Sequence, residues 1–329
     1  MIPIFTPATA RKDVNKVPGD GELAKLANLN RLVENVNTIV ANGIPASGPT
    51  LTYSNTGALD SMNVSFVVTV PSSNTQNSSG TKTVQSYYAA NIDIYSNSPT
   101  LTSITFPDVI SVNNISVQYI DLLTSISLPQ AIYFYDITLS DLSSLTSVNI
   151  PSLSGNINYI ELRYLPLLTS FNFSNIISID SRSDYYTSSF LIQHSGLTSI
   201  NFSSLAFLKQ YKSFYITDNP DLTSFSSPEL NICNNSINIE DNVSLTSITL
   251  GTIGTLKIVN DNISLSNNAL NVGSVNGVLA LLVSLDGTNG TSLFTSNLYL
   301  TGGTNAAPTG QGIIDVQTLI DRGCDVQTN

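Results

Sequence analysis

A Leu-Thr-Ser step recurs along the chain at Leu101, Leu123, Leu145, Leu168, Leu197, Leu222 and Leu245, at intervals of 22, 22, 23, 29, 25 and 23 residues. A period of this size marks a solenoid, in which each coil covers the apolar edge of the one before. With each Leu as position zero, position +3 holds Ile104, Ile126, Val148, Phe171, Ile200, Phe225 and Ile248. Position +5 holds Phe106, Leu128, Ile150, Phe173, Phe202, Ser227 and Leu250, and position −6 holds Tyr95, Val117, Leu139, Leu162, Leu191, Ile216 and Ile239. Position −5 reads as an outward column of Ser96, Gln118, Ser140, Arg163, Ile192, Thr217 and Glu240. Alternation around −6 and again from +3 to +5 predicts two short strands per coil. The expected fold is mainly β, a solenoid carrying a long rigid surface and seldom a deep catalytic cleft.

The ends differ from the ladder. Residues 1–18 contain Pro3, Pro7 and Pro18 and read as an extended arm. A helix is expected from about Glu22 to Ala41, capped by Asp20, with Leu26, Leu29, Val33, Val36 and Val40 at a/d spacing and Leu23, Leu32 and Ile39 widening the stripe. A helix this short needs a partner. Either several copies gather into a small bundle or the helix packs on its own chain, and the flexible Gly43–Gly48 stretch favours a separate module. The expected divisions are 1–45 (arm and helix), 46–90 (β spacer or N-terminal cap), 91–255 (solenoid) and 256–329 (last repeat and α/β cap). In the last of these, Val272–Leu285 and Ile313–Asp321 read as helices flanking a strand at Asn297–Thr301.

Charge and cysteine usage narrow the function. The net charge of −11 argues against nucleic-acid binding, which needs clustered Lys and Arg. Five of the 12 bases (Arg11, Lys12, Lys16, Lys25, Arg31) fall in the first 31 residues, a mildly basic arm on an acidic body. Cys233 and Cys324 are too few for a disulfide framework or a four-ligand zinc site and read as free thiols. The opening Met1–Phe5 run is too short for a signal peptide, and no stretch reaches the roughly 18 apolar residues of a membrane span.

Catalytic signals are sparse. The lone histidine, His194, sits in a Gln193–Gly196 turn and reads as a surface loop residue. Asp136, Asp141, Glu161, Asp180, Asp184, Asp218 and Glu240 are scattered carboxylates that linear sequence does not pair. No enzyme activity, cofactor or metal is expected. Asp218-Asn219, Asp241-Asn242 and Asp261-Asn262 fall near bends, where their side chains can satisfy turn backbone groups. Tyrosines carry the binding signal, since their faces suit sugar rings, although tyrosine also simply favours strands. The candidate ligand-binding residues are Tyr133, Tyr135, Tyr164, Tyr215 and, in the extra length of the longest repeat around Asp180–Ser189, Arg182, Asp184, Tyr185 and Tyr186.

The Leu-x-x-Ile-x-Phe core of Leu101–Phe106 and Leu197–Phe202 resembles leucine-rich repeats of the bacterial-surface type, without a helix in most coils, so a β-helix stays open. The stretch Leu300–Gly312 with Ile320–Cys324 resembles the terminal module of structural proteins from phages of Bacteroidota bacteria, and Lys16–Leu26 resembles N-terminal attachment segments of their fibres and spikes. The resemblance implies a spike or fibre on the virion surface, assembled in host cytoplasm. It implies attachment through residues 1–45 to capsid, portal or tail proteins, a homo-oligomer such as a trimer, and a solenoid facing a host glycan or surface protein, with no membrane partner. The alternatives are a decoration protein with no receptor, a β-helix polysaccharide depolymerase and a bacterial surface adhesin.

Overall fold

Alternating apolar residues build one long sheet through the protein. A computed structural model describes strand segments between Thr50 and Tyr95, and residues 102–329 apart from 107–108, 181–187, 210–212 and 235. Pro49–Asn329 form one compact unit. The arm and helix expected over 1–45, with Leu26, Leu29, Val33, Val36 and Val40, lie outside the described residues.

The fold is a parallel β-solenoid of about six turns. Its longest sheet has eleven strands, beginning with Ser61–Phe66, which pairs antiparallel with Tyr88–Tyr95. Parallel strands follow at Ser111–Gln118, Tyr133–Ser140, Tyr159–Leu165, Ser188–Ser195, Ser213–Thr217, Ile237–Glu240, Ile263–Ser264, Leu298–Leu300 and Val326–Thr328. Their register lines up Ile92, Ile115, Ile137, Ile160, Phe190, Phe214, Ile237, Ile263 and Leu298 as one inward row. Each of these side chains is buried, and each contributes about 1.5–3 kcal/mol by leaving water. β-branched residues suit this packing because the pleat accommodates their second branch.

The Leu-Thr-Ser steps lead into a second set of short parallel strands, Ser103–Thr105, Ser125–Ser127 and Ser147–Asn149, then Ser199–Asn201, Ser224–Ser226 and Ser247–Thr249. All seven leading leucines except Leu101, whose burial lies outside the described residues, are fully buried. A further parallel sheet was not expected from the sequence. It comprises Ser154–Ile157, Asn175–Asp180, Phe207–Lys209, Ile232–Cys233 and Ile258–Val259. The coils in this region therefore use three strand positions rather than two. Its support is a buried column at +8: Val109, Ala131, Leu153, Ile176, Leu205 and Leu230.

Two assignments to the −6 column are corrected. Ile94, not Tyr95, pairs with Val117, and Ile192 pairs with Ile216, so Ile94 and Ile192 hold the inward place and Leu191 does not. In the second case the chain between strand and step is one residue shorter. Gly196 makes that possible. A Cβ there would lie 2.3 Å from the carbonyl oxygen of Pro166 in the preceding coil, while its N–H donates to Leu165 O at 3.0 Å. Only a residue without a side chain allows so close a backbone approach.

Phe173, Phe190, Phe202, Phe214 and Phe225 fill the middle of the core, with ring centroids from 4.4 Å (Phe190–Phe214, stacked) to 6.2 Å (Phe202–Phe225). After the last Leu-Thr-Ser strand the chain forms helix α1 (Val272–Val283), which packs on Ser247–Thr249, and helix α2 (Gln311–Asp321), which packs on α1. Asn271 caps α1 by accepting from Ser274 N–H at 2.9 Å. The guanidinium of Arg322 donates to the carbonyls of Leu282, Val283 and Leu285 at the other end. Cys233 and Cys324 are buried.

Candidate binding groove at the left-handed bends

Among the described residues, seven successive coils leave the long sheet through one residue with left-handed backbone. Tyr119, Asp141, Tyr164, His194, Asp218, Asp241 and Asn267 have φ between 52° and 59°. Asp and Asn tolerate this region, whereas Tyr and His carry a Cβ penalty of roughly 1–2 kcal/mol. The bend keeps the ladder intact: the N–H groups of Tyr119, Asp141, Asp241 and Asn267 donate to Ser140, Arg163, Ser266 and Thr301 of the next coil at 3.3, 3.0, 3.2 and 2.9 Å. The bend residues are thus stacked at the coil spacing of about 4.8 Å.

The residue after each bend points inward and changes character along the solenoid. Ile120, Leu142 and Leu165 are fully buried in the early coils. Ser195, Asn219, Asn242 and Asn268 follow, all nearly inaccessible. The Asn242 carbonyl oxygen accepts from the backbone and side-chain N–H of Asn219, both at 3.0 Å. Its amide nitrogen donates to Glu240 O at 2.8 Å and Ile216 O at 3.0 Å. Asn219 repeats the pattern with Thr217 O and Ile192 O, and its oxygen accepts from Ser195. The asparagines of the Asp-Asn pairs at 218–219 and 241–242 therefore satisfy turn backbone as the sequence suggests. The aspartates face outward instead.

Around Asp141 the outward side chains enclose a groove of about 320 Å³, lined by Asp121, Asp141, Ser143, Tyr164, Pro166 and His194. Tyr164 and His194 stack with centroids 4.9 Å apart and planes 15° apart. The Arg163 guanidinium lies 4.8 Å from the Tyr164 ring centre and donates to its hydroxyl at 3.3 Å. On the far side of His194, Asp218 approaches its Nε2 to 4.0 Å and accepts from Gln193 at 3.2 Å. Ser143 donates to Asp121 Oδ1 at 3.4 Å. The Asp141 carboxylate accepts no hydrogen bond among the described residues. Tyr119, Leu122 and Leu167, at 55%, 45% and 51% exposed, add apolar surface on the same bends.

Of the tyrosines singled out in the sequence, Tyr164 alone lines this groove. Tyr133 and Tyr135 begin their strand, Tyr135 being well exposed. Tyr159 pairs with Asp136, so Tyr164 is five residues farther along, roughly 17 Å at 3.3 Å per residue. Tyr215 lies mid-strand opposite Leu191 and Asn238. The four tyrosines therefore form no single platform. Arg182, Asp184, Tyr185 and Tyr186 lie outside the described residues. Asp141, His194 and Asp218, which linear sequence leaves unconnected, share the bend column. Their recurring offset four residues before the Leu step, shortened to three at His194, is the signal that finds them.

Asp136 has a separate role. It is nearly buried, accepts from the Asn158 amide at 2.6 Å, and burial raises its pKa against the lowering effect of that bond. The chain matches no protein-family model, no curated protein and no solved structure. Among the described residues no group of His, Cys, Asp and Glu is arranged to hold a metal ion, and no helix is long and apolar enough to cross a membrane.

Proposed function

We propose that this chain is a non-enzymatic recognition protein, a virion spike or fibre whose leucine-rich-repeat-like solenoid displays a host-binding surface. In this reading residues 1–45 attach it to the particle and gather its copies, and the two C-terminal helices with their strands cap the last coil. The observation that supports the reading best is the bend column. One outward side chain per coil is set at a fixed spacing on a continuous apolar core, and several of these residues are aromatic in a backbone conformation that disfavours them. Strain of this kind persists where the surroundings hold it and is concentrated at binding sites. Several copies on one particle raise avidity where single contacts are weak.

The test compares adsorption to host cells of phage particles that carry the protein with particles that lack it. A loss of adsorption supports recognition. Unchanged adsorption refutes it in favour of a decoration protein.

A further inference from the structure

We infer that the Asp141 groove is a binding site for a neutral saccharide. This rests on the recognition reading and adds to it a place and a ligand class. Its volume, about 320 Å³, falls at the small end of ligand sites, which run from about 300 to 1,000 Å³. The lining is mixed in the way a sugar ring is mixed. Tyr164, Pro166 and His194 offer apolar and π surface, and Asp121, Asp141 and Ser143 offer oxygen acceptors.

Three features select the ligand class. The Asp141 carboxylate has its acceptor positions open to a ligand's hydroxyl donors, and a charged acceptor makes the stronger bond. Tyr164 is pinned between neighbours, stacked on His194 and bridged by Arg163, so little side-chain entropy is lost on binding. Asp121 and Asp141 both face the groove and Asp218 stands behind His194, a charge pattern that repels uronic or sialic acids. A neutral polyol meets no such repulsion, and the Tyr164 and Pro166 surface fits the CH face of its ring.

The test measures binding of the full-length protein to immobilised neutral gluco-, galacto- and manno-configured hexasaccharides, to hexagalacturonate and to hexalysine. At least one neutral probe is expected to bind, with Tyr164→Ala and Asp141→Ala each weakening it by about tenfold or more and Tyr215→Ala leaving it within about twofold. Far-UV circular dichroism confirms that each variant keeps its strands. Neutral binding insensitive to Tyr164→Ala and Asp141→Ala overturns the assignment. Preference for hexagalacturonate or hexalysine, or no neutral binding, overturns the ligand class. Particles bearing the two variants separate the claims. If they adsorb normally while particles lacking the protein do not, the groove assignment falls and the recognition reading stands.

Discussion

Removing one rung of the asparagine ladder should destabilise the solenoid far more than its single side chain suggests. In Asn242→Ala the backbone N–H of Asn219 loses its acceptor at 3.0 Å, the Asn219 side-chain amide loses one of its three, and Ile216 O and Glu240 O lose donors at 3.0 and 2.8 Å. Asn219 and Asn242 are both 0% exposed, so water does not replace these partners. A buried group left unpaired costs about 1–3 kcal/mol. The two carbonyls keep a second lone pair for the ladder, and the two hydrogens of the Asn219 amide keep Thr217 O and Ile192 O, which leaves the buried Asn219 backbone N–H dominant. The expected loss is about 2 kcal/mol, or roughly 4–8 °C in Tm for a body of this size. Urea unfolding followed by circular dichroism measures the loss, and hydrogen exchange at the Asn219 amide localises it. Asn260→Ala removes a side-chain hydrogen bond donated to Asn234 Oδ1 at 2.9 Å on the surface and should stay within about 0.5 kcal/mol. Asn242→Asp keeps the oxygen but loses both donors and buries a charge. It should be worse than alanine at neutral pH and recover on acidification, because burial raises the carboxyl pKa in the folded state. A loss below about 1 kcal/mol for Asn242→Ala, no larger than that of Asn260→Ala, would refute the ladder as a source of stability.

Other substitutions probe separate parts of the fold. Asp136 sits in register with Asn114 and bonds Asn158, so Asp136→Asn keeps the acceptor and removes a charge that burial disfavours. The folded carboxyl binds its proton more tightly than the unfolded one. Wild-type stability relative to the variant should therefore fall as pH rises from the ordinary carboxylate value of about 3.8 through the raised folded value, then stay level to neutrality, as paired urea curves across pH would record. Gly196→Ala sets a Cβ against Pro166 O and should destabilise by about 1–3 kcal/mol in the same assay. Because Gly196 lies between His194 and the Pro166 wall of the groove, it should also weaken neutral saccharide binding. Phe202→Ala empties a fully buried site ringed by Phe173, Phe190, Phe214 and Phe225 and should cost about 3–5 kcal/mol by thermal unfolding.

The linear sequence by itself determined that like residues stack. The leucines at zero and the apolar residues at +3 and +5 identify the coils, because burial against the neighbouring coil imposes the same requirement at each repeat. The C-terminal helices and the strand between them were legible within about two residues for the same kind of reason: apolar periodicity and turn residues are local. Tertiary structure alone decided the count of strand positions, since the short segments after +8 become strands only by pairing with adjacent coils. It also decided register at Ile94 and Ile192, where a fixed offset fails and the close approach at Gly196 absorbs a missing residue. The groove belongs to this second class. Asp121 and His194 are 73 positions apart in the chain, and only the stacking of four successive bends brings carboxylate, serine and aromatic side chains around one volume.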